Sequence, residues 1–120
     1  MPADPRLSVV VPTLGRPVLE RCLDALARQT TPAGVFEVIV VEDAVAPAGG
    51  HLRAARPGAS AARNVGWRAA RGEIVLFLDD DILAAPDLVA QHLAWHEPVV
   101  EQGVLGTVTW ARELRVTPFM

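Results

Sequence analysis

A chain of 120 residues with a formal net charge of −3, 51% hydrophobic and 21% charged residues has the size of one ordinary domain and leaves no room for a second. That balance excludes both the charge-rich, apolar-poor signature of disorder and a basic field for nucleic acid. The single cysteine, Cys22, can close neither an intrachain disulfide nor a cysteine zinc cluster, and it reads as a buried, reduced thiol suited to the cytosol.

No apolar run approaches the roughly 20 residues of a membrane helix. The first residues, MPADPRL, lack the basic start, apolar middle and cleavage site of a signal peptide. The expected setting is therefore cytoplasmic. Leu7 to Val11 (LSVVV) is a continuous apolar, β-branched run ended by Pro12, the pattern of a strand buried on both faces. From Pro17 to Gln29, apolar residues at Val18, Leu19, Cys22, Leu23 and Leu26 form one helical stripe. Thr30, Thr31, Pro32 and Gly34 break it, and FEVIVV from Phe36 to Val41 predicts a second strand, completing a βαβ unit.

Residues 44–58 (AVAPAGGHLRAARPG) hold small and turn-forming residues without a period and are expected to be a mobile loop. Ser60 to Ala70 predicts a helix in which Gly66 permits close approach to the sheet, and Arg71-Gly72 stops it. EIVLFL from Glu73 to Leu78 predicts a third strand running into Asp79, Asp80 and Asp81. Pro86 to His96 predicts another helix with Asp87 in its first turn, and VLGTVTW from Val104 to Trp110 suits a fourth strand. The fold class expected is α/β: a mainly parallel sheet of about four strands flanked by helices, with right-handed crossovers.

In such sheets ligands gather beyond the carboxyl ends of the strands. The first strand ends in Pro12-Thr13-Leu14-Gly15-Arg16, the second in Glu42-Asp43 and the third in Asp79-Asp80-Asp81, so five carboxylates are expected on one edge. Unpaired carboxylates at close quarters raise one another's pKa and cost stability, which calls for a cation. Oxygen-only ligation suits Mg²⁺ or Mn²⁺, which fill their remaining positions with water and substrate phosphates. The plainer reading is that such aspartates cap the following turn or helix. It weighs little for three in a row and more for Glu42-Asp43. Arg63 and Asn64, in the first turns of a helix, suit phosphate or ribose oxygens or, equally, a solvated helix face.

Taken together, SVVVPTLGR, FEVIVVED and ARNVGWRAARGEIVLFLDDD resemble, in that order, the amino-terminal half of family 2 glycosyltransferases of the GT-A fold. The resemblance implies a Rossmann-like half that binds the nucleoside diphosphate of an activated sugar, a UDP-sugar in first place. It would have Pro12 and Thr13 lining the base, Glu42 or Asp43 hydrogen-bonding to base or ribose, and Arg16 within the same site. Arg63 would sit near the ribose or diphosphate. Asp79, Asp80 and Asp81 match the family's Asp-x-Asp motif, with Asp79 and Asp80 near the ribose and metal shell and Asp81, with Asp79, on Mn²⁺ or Mg²⁺. The family inverts at the sugar, with a carboxylate base acting on the hydroxyl of a glycan or lipid-linked acceptor. Two departures stand out. Glu42-Asp43-Ala44-Val45 replaces the Asp-Asp-Gly-Ser common after the second strand, and no residue here matches the family's general base. The expectation is a truncated donor-binding region whose remainder carries the base and any attachment to the inner face of a membrane.

His92 and His96 stand i, i+4 without a third ligand and read as a partly exposed helix end, not a zinc pair. Trp67, Trp95 and Trp110 read as packing residues, with Trp110 a lesser candidate to border the donor sugar. A receiver domain has a similar length and element order but normally needs a lysine, and this chain has none. The remaining alternative is a nucleotide-binding or interaction module without chemistry, whose unpaired sheet edge would invite self-association.

Overall fold

The computed structural model describes residues 4–97 and 102–109. Its elements are β1 (Leu7–Thr13), α1 (Val18–Ala27), β2 (Phe36–Glu42), β3 (Leu52–Arg53), α2 (Ala59–Ala69), β4 (Ile74–Phe77) and α3 (Leu88–Trp95). The sheet runs β3-β2-β1-β4, and every neighbouring pair is parallel. β1 lies between partners on both sides, with Leu7 opposite Phe36 on β2 and Ile74 on β4. Every one of its residues is buried, which is why its sequence does not alternate between apolar and polar and why its two hydroxyls, Ser8 and Thr13, are both hydrogen-bonded.

The pleat sends alternate β1 side chains to two cores. Leu7, Val9 and Val11 pack with Cys22 and Leu26 of α1, Val89 of α3, and Leu78. Val10 packs on the other face with Val41, Ala54 and Ala62 of α2. Each fully buried valine or leucine contributes about 1.5–3 kcal/mol relative to exposure. α2 lies close against the sheet because Gly66 has no side chain: a Cβ there would stand 2.2 Å from Val10 Cγ1.

The fourth strand differs from expectation. Residues 102–109 form no strand, and Trp110 lies outside the described residues. The fourth strand is Leu52–Arg53, inside the segment read as a loop, paired with Val41 and Glu42 of β2. Two residues carry no periodicity, and what makes them a strand is the β2 backbone beside them, where Ala54 N donates to Glu42 O at 2.9 Å.

At the amino ends of the strands a polar network ties three elements together. Ser8 Oγ donates to Glu37 Oε2 at 2.6 Å and accepts from Gly72 N at 2.9 Å, while Arg71 N donates to the same Glu37 oxygen at 2.8 Å. Burial alone would raise the Glu37 carboxyl, but the bonds from Ser8 and Arg71 hold it below its usual range.

α3 is capped by another helix's neighbour. Asp87 makes no side-chain cap; Gln29, just beyond α1, accepts from Val89 N at 3.0 Å and donates to Ala85 O at 2.7 Å. His92 on α3 is buried and His96 is partly exposed, so the expectation of a partly exposed pair is corrected for His92. Burial, with His96 adding to it, lowers the His92 pKa from 6.5. The unfolded chain then binds more protons just below pH 6.5, so stability is complete above 6.5 and falls as pH drops through that value towards the lower folded one. The urea midpoint is expected to fall between about pH 7.5 and 5.5, and His92→Gln to flatten that dependence. An equal slope in the variant would place the acid sensitivity elsewhere. Trp67 and Trp95 are largely exposed, at 57% and 65%, and so are not the packing residues expected.

Candidate donor-binding site at the strand ends

The carboxyl ends of β1, β2 and β4 open into a cleft of about 210 Å³ lined by Pro12, Thr13, Leu14, Arg16, Asp43, Ala59, Ala62, Asp79, Asp80 and Asp81. Strand order decides who meets there. β1 is central, so its end stands between Asp43 after β2 and the aspartates after β4. Gly15, at φ +77°, takes the left-handed conformation that lets the chain turn sharply after β1. There its N–H donates to Thr13 Oγ1 at 2.9 Å.

The three aspartates have three different environments. Asp80 is buried: Oδ2 accepts from Thr13 Oγ1 at 2.8 Å and Oδ1 from Arg16 Nη2 at 2.7 Å. It is a fixed charge that holds Thr13 and Arg16 in place. Asp79 is exposed and lies 3.3 Å from Arg63 Nη2, a surface pair worth little by itself. Asp81 is exposed and has no hydrogen bond or ion pair among the described residues. Beneath them lies Cys22, its Sγ 3.7 Å from Asp79 O. Burial, together with Asp80 and Asp81, pushes its thiol up to about 11, so Cys22 is the inert buried thiol expected.

Asp43 forms the opposite wall. Its Oδ1 accepts from Val45 N at 3.0 Å and its Oδ2 from Gly58 N at 2.9 Å. Those two N–H groups hold its carboxyl below the usual carboxylate range. α2 begins beside it, with Gly58 as a cap that offers no side-chain hydrogen bond and no acidic residue in the first turn. The positive end of the helix therefore borders the cleft, where it favours an anion.

Seven of the residues singled out in the sequence (Pro12, Thr13, Arg16, Asp43, Asp79, Asp80 and Asp81) come together here. Glu42 does not. It is buried, accepts from Gly49 N at 2.5 Å and lies 3.8 Å from Arg53 Nη2. Strand alternation explains the split, since consecutive residues at a strand end face opposite ways. Arg63 borders the cleft only through Asp79. Sequence reasoning missed Arg53, Gly49 and Gly58, whose one signal was their place between two strand-end acids.

No three His, Cys, Asp or Glu side chains gather as a metal centre among the described residues. Arginines and backbone N–H groups offset four of the five carboxylates, so the cluster does not by itself demand a cation. What remains is Asp81, unpaired, with Asp79 beside it in the cleft wall. Two exposed carboxylates fit a hard cation that takes its other ligands from phosphate and water.

The sequence model described as glycosyl transferase family 2 matches residues 51–115. Validoxylamine A glucosyltransferase of Streptomyces hygroscopicus subsp. jinggangensis (strain 5008) is 38% identical over 119 residues, covering 85% of this chain and 28% of that protein. The uncharacterized glycosyltransferase EpsJ of Bacillus subtilis (strain 168) is 34% identical over 92 residues, 64% of this chain and 26% of that one. The chain thus spans little more than a quarter of these relatives. Among solved structures, the mannosyltransferase PcManGT of Pyrobaculum calidifontis, in complex with GDP-Man and Mn²⁺, superimposes with a TM-score of 0.70. It is 29% identical over 81% of this chain and 34% of that one. S. aureus TarS 1-349 with UDP-GlcNAc gives a TM-score of 0.62 at 25% identity, over 84% of this chain and 37% of that one.

Proposed function

The chain belongs to glycosyl transferase family 2, and from that premise we propose that it binds a nucleoside diphosphate sugar, with a divalent metal, for transfer to a glycan or lipid-linked acceptor. The observation that carries this reading is the contrast between Asp80, fixed by Thr13 and Arg16, and Asp81, unpaired in the same cleft. The uncapped start of α2 borders that cleft, which thus offers a place for a phosphate and a carboxylate for its counter-ion. The complexes of PcManGT with GDP-Man and Mn²⁺ and of TarS with UDP-GlcNAc support the ligand class.

In this reading Asp81 and Asp79 hold Mn²⁺ or Mg²⁺, which when bound neutralises charge on the departing diphosphate. Asp80 orients Arg16 and Thr13. Asp43, on the far wall, accepts from the base or ribose, whose N–H and O–H groups suit a carboxylate. Glu42 supports the wall from behind. Arg63 restrains Asp79 and can exchange that partner for a phosphate oxygen. Transfer is of the inverting, hexosyl type implied by the family likeness. The single thiol accords with a cytoplasmic setting. Among the described residues β4 forms an edge of the sheet, with Phe77 45% exposed, which favours self-association of the isolated chain.

The test is the thermal midpoint of the chain with UDP, GDP and dTDP, each with Mn²⁺ or with EDTA. A ligand that binds only the folded state raises stability as RT ln(1 + [L]/Kd). A metal-dependent rise with one nucleotide is the expected result. A cooperative transition that none of them moves would overturn the reading for this chain.

A further inference from the structure

The segment joining β2 to α2 is closed into a ring by side chains from its own ends. Asp43 at its start takes the N–H of Gly58 at its end at 2.9 Å, and Glu42 takes the N–H of Gly49 midway at 2.5 Å. Arg53 braces the ring from inside. Its Nη1 donates to the carbonyls of Asp43 and Ala44, both at 3.0 Å, and its Nη2 donates to the carbonyl of Ala46 at 2.6 Å. Its backbone is fixed in turn by β3, opposite Glu42. Three carbonyls converging on one guanidinium is a geometry that a planar fork of donors satisfies and the point charge of a lysine does not.

We infer that Arg53 is a positioning residue: it holds Asp43 in the cleft wall and thereby sets affinity for the nucleoside part of the ligand without touching the phosphate part. The inference rests on the donor-site reading above. Arg53 does not line the cleft, and its bonds end on the Asp43 side, whereas Asp79 and Asp81 belong to the segment after β4. Glu42 finds its purpose here too. Buried and acidic, it draws both Gly49 N–H and the Arg53 guanidinium, so that the ring has a charged hub. A Cβ on Gly49 would stand 2.6 Å from Glu42 Oε2, so a larger residue there has to displace the carboxylate at the hub.

The experiment compares wild type, Arg53→Met, Arg53→Lys and Gly49→Ala. It reads the Kd for UDP and for GDP with Mn²⁺, the Kd for inorganic pyrophosphate with Mn²⁺, and amide exchange at Val45 and Gly58. Arg53→Met is expected to weaken nucleotide binding by about tenfold or more, leave pyrophosphate within about twofold, and speed exchange at both amides. Arg53→Lys should not restore binding, and Gly49→Ala, which removes no charge, should show the same split. Equal losses for nucleotide and pyrophosphate would overturn the inference, as would nucleotide affinity unchanged in both Arg53→Met and Gly49→Ala. If wild type binds pyrophosphate with Mn²⁺ but neither nucleotide, the donor-site reading itself falls. Exchange at Val45 and Gly58 would then still report whether Arg53 holds the ring, so the two failures are told apart.

Discussion

Asp81→Ala is expected to weaken Mn²⁺-dependent nucleotide binding by about 100-fold or more, the loss of a charged ligand to a metal, and to leave the fold intact. The reason is its isolation: Asp81 is exposed and makes no hydrogen bond or ion pair among the described residues. Removing it breaks no contact, and its stability should stay within about 0.5 kcal/mol of wild type, as for surface changes generally. Asp80→Ala is the contrasting control. It would leave the buried Thr13 hydroxyl without its acceptor, while the exposed Arg16 guanidinium turns to solvent, and lower stability by about 1–3 kcal/mol, the cost of a buried donor left unsatisfied. Calorimetric titration with UDP and with GDP, in Mn²⁺ and in EDTA, separates the two. Unchanged metal-dependent affinity in Asp81→Ala would sink the metal assignment.

Gly66→Ala is expected to destabilise the chain by about 2–3 kcal/mol, although helix propensity alone predicts a gain of up to about 1 kcal/mol. The new Cβ would stand 2.2 Å from Val10 Cγ1 and 3.2 Å from Val41 Cγ2. Val10 is fully buried on the central strand, paired on both sides, and stiff at χ1, so the relief must come from α2 lifting away. That motion would also carry the start of α2 away from the cleft. The urea midpoint measures the loss, and Val10→Ala in the same chain should recover part of it, as coupled neighbours do. A midpoint that rises with Gly66→Ala would show that α2 is free to move outward.

Much of this architecture was legible in one dimension. LSVVV, FEVIVV and EIVLFL are strands because β-branched and apolar residues dominate each short run, and of the three only β1 is buried throughout. The stripe from Leu19 to Leu26 is a helix because its period is 3.6. Gly66 announced a close approach by being the wrong residue for the middle of a helix. The triple aspartate drew attention to one strand end, and the structure places all three side chains on one cleft.

What the sequence by itself determined, then, was the order of the three longer strands and of the helices, the parallel sheet those strands build and the edge at which its acidic strand ends meet, since these follow from local periodicity and from the handedness of βαβ connections. The tertiary structure alone decided the partners. It made Leu52–Arg53 the fourth strand, where Val104 to Trp110 had the stronger local pattern, because a strand needs a backbone beside it more than a propensity of its own. It turned Glu42 into the ring and Asp43 into the cleft, gave Asp80 to Thr13 and Arg16, and left Asp81 unpaired. Ser8, Glu37 and Gly72 likewise met only when their strands aligned. Such pairings join residues from 7 to 67 positions apart, and their geometry exists only once the chain has folded onto the sheet.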